Sequence, residues 1–195
     1  MSSPLGALVQ AFLADELPVQ RGLRPTSVKA YRDGLRLFLL FVAKDVPCRI
    51  TQISRETLSL DRALRFLQDL EATRHNHRRT RNHRLTILRA FFDFLARRCP
   101  EYLAVAQQVA GIAVKRAPPP ETFFLERDEI EALLRRLPTH GRHAARDRAL
   151  FLMLYNTGAR VQEIAELHIE HLDLGPQPRV RLHGKGDKWP VCPLW

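Results

Sequence analysis

Three consecutive prolines at positions 118–120 limit the folds that this 195-residue chain can adopt. Proline lacks a backbone N–H and fixes φ, so a helix cannot continue through such a run. Proline-rich segments instead form stiff, extended connectors. We therefore predict two domains, residues 1–110 and 125–195, joined by a linker at 111–124 that reads GIAVKRAPPPETFF.

The first domain is predicted to be entirely helical. Between Pro4 and Ala110, apolar residues recur at steps of three and four in several segments, the spacing that gives a helix one apolar face. One helix is expected to begin after Pro25, with Thr26 as its N-cap. Two later stripes consist of Leu60, Leu64, Leu67 and Leu70, and of Leu85, Leu88, Phe92 and Leu95. Such helices are marginal in isolation, so their apolar faces are expected to pack together in a bundle.

The second domain is predicted to combine helices with a β-hairpin. Residues 126–137 and 146–155 have helical periodicity, and Gly158 is suited to a left-handed C-cap after the second of these helices. Arg160 is expected to open a further helix. From residue 179 the apolar period changes to two, and the glycines of GKGDK at 184–188 are typical of a hairpin tip.

The charge of the chain predicts a polyanionic partner. The formal net charge is +10 at pH 7, and cationic side chains gain affinity for nucleic acids by releasing condensed counterions. Net charge by itself leaves DNA, RNA and acidic membranes open. The basic residues are mostly arginine, whose planar guanidinium suits phosphates and base edges, and this favours nucleic acid.

A cluster of arginines lies between residues 74 and 89. Arg81 and Arg84 extend the apolar stripe that contains Leu85 and Leu88, since residues three and four apart share a helix face. The basic end of this stripe is expected to leave the core and to face the DNA backbone. The alternative is a solvated charged face, which is the usual place of a charge run.

The cysteines favour a reducing compartment. Cys48, Cys99 and Cys192 are far apart and show no CxxC spacing, which argues against a disulfide framework and a structural zinc site. No apolar run approaches membrane-spanning length, and acidic residues interrupt the apolar stretch near the N-terminus, unlike a secretory signal. We expect a cytoplasmic protein without a bound metal.

Two motifs in the second domain carry the chemistry. In TGARVQEIAEL at 157–167, Arg160 lies at a helix start, where free backbone N–H groups favour an anion, and Glu163 lies three residues on, within reach of an ion pair. In HGKGDK at 183–188, Lys185 stands between two glycines that allow close approach to a DNA backbone. The alternatives are an ordinary helix-start ion pair and a solvated turn lysine, with Lys188 as a local competitor.

These motifs, in this order and spacing, resemble the start of the catalytic domain of tyrosine recombinases of the phage integrase family. The earlier segments TSVKAYRDGLRLFLLFVA and RNHRLTILRAFFDFLARR resemble the helical core-binding domain of the family. The resemblance spans nearly the whole chain. It implies a mainly α fold, with a core-binding (SAM-like) bundle followed by the N-terminal part of an α+β catalytic domain with a β-hairpin. It also implies site-specific DNA recombination and integration that serve a mobile element.

The resemblance implies a role for each site residue. Arg160 would clamp the scissile phosphate and stabilise the charge of its transition state, Lys185 would protonate the departing 5′ oxygen, and Glu163 would support Arg160. The residues expected to contact DNA are Arg78, Arg79, Arg81, Arg84, Arg89 and Lys188. The chemistry proceeds through a 3′-phosphotyrosyl link without a metal or nucleotide cofactor. The expected partners are double-stranded DNA and other recombinase protomers bound to it.

The sequence also departs from the pattern of the family. The HxxR box and the tyrosine nucleophile of the family follow the hairpin, and this sequence ends at Trp195. The HxxR matches at 75–78 and 143–146 come too early, as do Tyr31, Tyr102 and Tyr155. We therefore expect a truncated recombinase that is inactive alone. The alternatives are a non-catalytic DNA-binding regulator and, less well supported by the motifs, a helical RNA-binding or adapter protein.

Overall fold

The computed structural model describes residues 4–119, 121–184 and 186–195, without the side chains of Pro4 and Arg55. The chain forms two compact units, the first extending to Pro119 and the second to Trp195. Segment 111–119, which the proline run led us to assign to the linker, belongs to the first unit. No helix of the described residues is both long and apolar enough to cross a membrane.

The first unit is helical, as predicted. Its helices are α1 (Pro4–Ala11), which runs directly into a π-helical segment (Phe12–Gln20), α2 (Pro25–Asp45), α3 (Leu60–Ala72), α4 (Arg78–Arg98) and α5 (Leu103–Ala110). Short 3-10 turns lie at Ile50–Gln52, Arg55–Thr57 and Pro100–Tyr102.

The starts of α2 and α3 follow from the local sequence, but the predicted N-cap of α2 needs correction. Arg24 has extended dihedrals and stands at the N-cap of α2, so Pro25 is the first helical residue and the assignment of Thr26 as the cap is wrong. The fixed φ of proline suits this first position, where its missing N–H would have no helical partner. Ser59 caps α3 by accepting a hydrogen bond from the backbone N–H of Arg62 at 3.3 Å.

Aromatic rings fill the core of the first unit. Phe12 lies 5.2 Å from Phe91 between ring centroids, and Phe38 lies 5.4 Å from Phe66. The stripe predicted for α3 is confirmed at Leu67 and Leu70, which are buried, and is wrong at Leu64, which is exposed. The other buried positions are Ala63 and Phe66. Phe66 brings a large ring into the core, where it removes more apolar area from water.

A glycine allows α2 and α4 to approach closely. A methyl group on Gly34 of α2 would lie 2.4 Å from Cδ1 of Ile87 and 3.0 Å from Nη1 of Arg84, both on α4. A separation under 3 Å to a packed side chain leaves no room for any larger residue. The crossing therefore depends on glycine at this position, and it sets how the basic part of α4 lies against α2.

The second unit combines short helices with a small antiparallel sheet. Its elements are α6 (Arg127–Arg136), α7 (Ala144–Thr157), α8 (Val161–Ala165), a 3-10 turn (Ile169–His171), β1 (Leu172–Asp173), β2 (Arg179–Arg181) and β3 (Val191–Pro193). The sheet order is β1-β2-β3. The predicted left-handed C-cap is confirmed, since Gly158 has φ 63°.

The predicted hairpin is confirmed, and Pro190 fits into it. Val180 pairs with Cys192 and Arg181 with Val191. The carbonyl of Pro190 accepts a hydrogen bond from the N–H of Leu182 at 3.0 Å, a role that needs no N–H on the proline. The two-residue strand β1 was not predicted, because so short a segment shows no periodicity.

The core of the second unit is small. Ile164, Val180 and Leu182 are its buried members. Leu150, Phe151 and Leu152 on α7 are each exposed by about two fifths, and three successive helical residues point in three different directions. Helix α7 therefore presents apolar surface around much of its circumference, a pattern typical of helices enclosed on several sides.

A buried carboxylate joins the π-helical segment to the end of α4. Glu16 accepts hydrogen bonds from Arg97 at 2.6 Å and from Arg21 at 2.8 Å, and Arg21 also reaches Asp93 at 3.2 Å. The hydrogen bond from Arg97, and then that from Arg21, lower the pKa of the Glu16 carboxyl against the opposing effect of burial. Glu16 is thus held ionised between two guanidiniums.

We predict that Glu16→Gln destabilises the protein by about 2 kcal/mol, the usual value for hydrogen bonds to a charged partner. Because the folded-state pKa of Glu16 lies below its ordinary value of 4.5, its contribution is complete above that value and is lost as pH falls through the folded-state pKa. Urea unfolding at neutral and acidic pH measures both effects. Asp15→Asn is the control, since Asp15 is partly exposed and lies 3.9 Å from Arg98; an equal loss in both variants would contradict the prediction.

Candidate functional site

Arg160 and Glu163 form one unit at the start of α8. The backbone N–H of Arg160 donates to Oε2 of Glu163 at 2.9 Å, and Nη1 of Arg160 donates to Oε1 at 2.7 Å. The arginine side chain is 73% exposed, whereas that of the glutamate is 14% exposed. The buried partner therefore orients an exposed guanidinium whose remaining N–H groups can reach an anion.

The same contacts keep Glu163 ionised. Its hydrogen bonds from Arg160, first from the backbone N–H and then from the guanidinium, lower the pKa of the carboxyl below its ordinary value. A charged carboxylate is the form that fixes a guanidinium by two parallel or adjoining bonds. The predicted supporting contact of Glu163 to Arg160 is therefore present in the structure.

The end of the hairpin lies beside this pair. A methyl group on Gly184 would lie 3.9 Å from Oε1 of Glu163, and the N–H of Gly184 donates to the carbonyl of Lys188 at 2.7 Å. Gly186 and Asp187 turn the chain with φ of 80° and 60°. Lys185, the predicted general acid, lies outside the described residues. Its two neighbours Gly184 and Gly186 are described, and Gly184 lies close to the Glu163 oxygen that accepts the hydrogen bond from Arg160.

An aromatic cluster that sequence reasoning missed braces the hairpin. His183 stacks on Trp189 with ring centroids 4.7 Å apart, and its Nε2 lies 2.8 Å from Oδ1 of Asp187. His171 meets the edge of Trp189 at 5.0 Å, and the guanidinium of Arg181 lies 5.9 Å above the indole. The sequence did carry a signal for this cluster: Arg181 and His183 are two residues apart along the strand direction, and residues two apart share a sheet face.

The basic residues of α4 occupy different environments. Arg78 and Arg79 are exposed, Arg84 and Arg89 are half-buried, and Arg81 is buried with 5% exposure. Lys188 in the second unit is exposed. The expectation that the basic end of the α4 stripe leaves the core is therefore wrong for Arg81.

Arg81 faces a segment of its own chain. Its Nη1 donates to the carbonyl of Ala113 at 2.9 Å, and Arg89 donates through Nη2 to the carbonyl of Ile112. Asn82 exchanges two hydrogen bonds with the backbone of Lys115, at 2.7 and 3.1 Å. Segment 112–115 runs outside any helix or strand, so its polar groups need side-chain or water partners, and α4 supplies them.

Arg84 is placed differently. It lies against Gly34, and its Nε is enclosed without a hydrogen-bond partner in the described part of the chain, as are the Nε atoms of Arg81 and Arg89. The side chain as a whole is half-buried. Unlike Arg81 and Arg89, Arg84 donates no hydrogen bond to a backbone carbonyl of the described residues. Its other guanidinium N–H groups therefore remain available to an anion.

The tyrosines are spread over both units. Tyr102 is buried, Tyr31 packs at 6.2 Å from Phe12, and Tyr155 is about half exposed on α7. Of the early HxxR matches, Arg146 is bonded to its neighbour Asp147 at 2.7 Å. These contacts agree with structural roles for Tyr31, Tyr102 and Arg146.

Comparison with known proteins places both units in one family. Residues 9–99 match the phage integrase N-terminal SAM-like domain, and residues 123–194 match the phage integrase family. The chain is 36% identical over 191 residues to the integrase/recombinase homologue y4rD of Sinorhizobium fredii, covering 97% of this chain and 68% of that protein. It is 29% identical over 191 residues to the tyrosine recombinase XerC of Pelobacter propionicus, covering 98% of this chain and 60% of XerC.

The chain belongs to the phage integrase family of tyrosine recombinases. Its fold is similar to that of the XerH site-specific recombinase in a crystal structure with its difH DNA substrate, with a TM-score of 0.64 at 19% identity. That match covers 89% of this chain and 50% of XerH. The chain thus spans from half to about two thirds of the length of these relatives.

We predict that Arg160→Met raises the pKa of Glu163 but leaves it below its ordinary value. The substitution removes the guanidinium bond and keeps the backbone N–H bond, which has the larger effect on this carboxyl. Carboxyl carbon chemical shifts in an NMR pH titration measure the change. Asp173 is the internal control, because its pKa is lowered by Gly175 and Arg179 instead. An unchanged Glu163 pKa would contradict the assigned side-chain contact.

Proposed function

We propose that this protein binds double-stranded DNA and acts in site-specific recombination as the DNA-gripping part of a tyrosine recombinase. One observation carries the proposal: the exposed Arg160 guanidinium is held by Glu163, and Glu163 also adjoins the Gly184 end of the hairpin. A phosphodiester bound by Arg160 would lie next to the hairpin tip. The membership of the chain in the phage integrase family supports this assignment.

The site residues take the following roles in the proposal. Arg160 binds the non-bridging oxygens of the scissile phosphate and stabilises the charge that develops there. Glu163 positions Arg160. Lys185 donates a proton to the departing 5′ oxygen. None of Tyr31, Tyr102 and Tyr155 serves as the nucleophile in this proposal, so we propose that residues 1–195 alone form no covalent link to DNA.

The proposed DNA surface of each unit, taken by itself, consists of exposed or half-buried cations. Arg78, Arg79 and Arg84 on α4 and Lys188 on the hairpin contact the backbone, whereas Arg81 and Arg89 serve mainly to hold segment 112–115. We propose that residues 1–110 act as the core-binding domain and residues 125–195 as part of the catalytic domain. Other protomers would bind the same DNA, as a family that exchanges strands requires. The free cysteines agree with the cytoplasm as the site of action.

We predict that Arg84→Ala weakens binding to every duplex by roughly tenfold, the effect of losing one charge-assisted hydrogen bond. The slope of log affinity against log salt concentration should fall by about one, since one phosphate contact is lost. Fluorescence anisotropy with short labelled duplexes at several salt concentrations measures both. Arg142→Ala, an exposed arginine outside the proposed surface, is the control. An unchanged slope for Arg84→Ala, or no binding by the unaltered chain, would contradict the proposed surface.

We predict that the chain binds a nicked suicide duplex without forming a covalent adduct. In such a substrate the cleaved fragment diffuses away and traps any phosphotyrosyl protein. Denaturing electrophoresis of the labelled duplex detects the adduct. A trapped adduct that disappears in Tyr155→Phe would show that the exposed tyrosine on α7 serves as the nucleophile, against the proposal.

A further inference from the structure

Segment 112–118 is attached to α4 in two halves of unequal strength. The inner half, 112–115, is fixed by the hydrogen bonds from Arg81, Asn82 and Arg89 described above. Ile112 is buried, and the ammonium of Lys115 forms an ion pair with Glu71 at 2.6 Å. This half combines apolar burial with several short bonds, so it is anchored firmly.

The outer half, 116–118, is held by longer contacts. Nη1 of Arg78 reaches the carbonyl of Arg116 at 3.5 Å, and Nη2 of Arg79 reaches the carbonyl of Pro118 at 3.5 Å. Both distances lie at the limit of a hydrogen bond, and both arginines are exposed to solvent. No other side-chain hydrogen bond or ion pair to this half occurs within residues 4–119, 121–184 and 186–195.

The two arginines that hold the outer half are also exposed cations in the first turn of α4. Hydrogen bonds from a guanidinium to a phosphate are shorter than those to a neutral carbonyl, and they are about twice as strong. A phosphate that approached Arg78 and Arg79 would therefore compete with the carbonyls of Arg116 and Pro118. The inner half is less open to this competition, because Arg81 is buried, Asn82 is uncharged and Arg89 is half-buried with its Nε enclosed.

We propose that segment 112–118 is a strap whose outer half is released when DNA phosphates take over Arg78 and Arg79, while its inner half stays on α4. The inference rests on the proposed DNA binding. Release would detach residues 116–118, near the end of the first unit, from α4. Each extended residue spans about 3.5 Å, so the released residues can move clear of the bound phosphates.

The first test needs no DNA. Trypsin cleavage after Arg116 requires the outer half to leave α4, so its rate reports release of the strap, whereas cleavage after Lys115 requires the inner half to leave and should stay slow. Arg78→Ala with Arg79→Ala should raise the rate after Arg116 by about fivefold, because two weak hydrogen bonds are lost. The control, Arg24→Ala with Arg36→Ala, removes two exposed arginines of the α2 region and should leave the rate unchanged. Unfolding midpoints of both variants check that the fold is intact.

The second test adds a short labelled duplex to the unaltered protein at saturation, with anisotropy followed in the same samples. Bound DNA should raise cleavage after Arg116 toward the rate of the Arg78→Ala, Arg79→Ala variant and leave cleavage after Lys115 slow. Binding with unchanged or slower cleavage would overturn the strap proposal and leave the proposed function standing. Absence of binding would overturn the proposed function, and the DNA-free comparison would still decide whether the two arginines hold the strap.

Discussion

The hydrogen bonds between α4 side chains and the backbone at 112–115 are the contacts on which the first unit depends beyond its apolar core. Segment 112–115 lies outside any helix or strand, yet Ile112 is buried and its carbonyl must be satisfied. Arg81, Asn82 and Arg89 meet this need from one helix. The charge that would otherwise serve DNA is therefore partly used inside the protein, and the surface left for a ligand is smaller than the arginine count suggests.

The same principle orders the site in the second unit. Glu163 is largely enclosed and ionised, and it gives direction to an exposed guanidinium. Its neighbour Gly184 lies close to this carboxylate. The stacked rings of His183 and Trp189 stiffen the strand ends next to the tip. Arg160 is thus positioned by a partner that is itself held in place, as a preorganised anion site requires.

Much of the fold could be predicted from the sequence. The stripes of α2 to α4, the hairpin and the left-handed turn at Gly158 follow from spacing and from glycine chemistry, which are local properties. The stripe of α3 was predicted correctly at Leu67 and Leu70 and wrongly at Leu64, because Leu64 and Phe66 are both apolar and only packing decides between them. Strand β1 was missed because two residues carry no period. The environment of Arg81 was predicted wrongly for a different reason. A helix stripe shows which residues share a face, but the segment that packs against that face comes from distant sequence.

The sequence by itself determined the element types, the break at the prolines, the basic character of the chain and the spacing of Arg160, Glu163 and the glycine hairpin. These depend on backbone propensities and on residues close along the chain. Only the tertiary structure decided which arginines remain open to solvent and which bind carbonyls, because those partners lie more than twenty residues apart. It also placed Gly184 beside Glu163, a contact between a helix and a hairpin that no local pattern encodes.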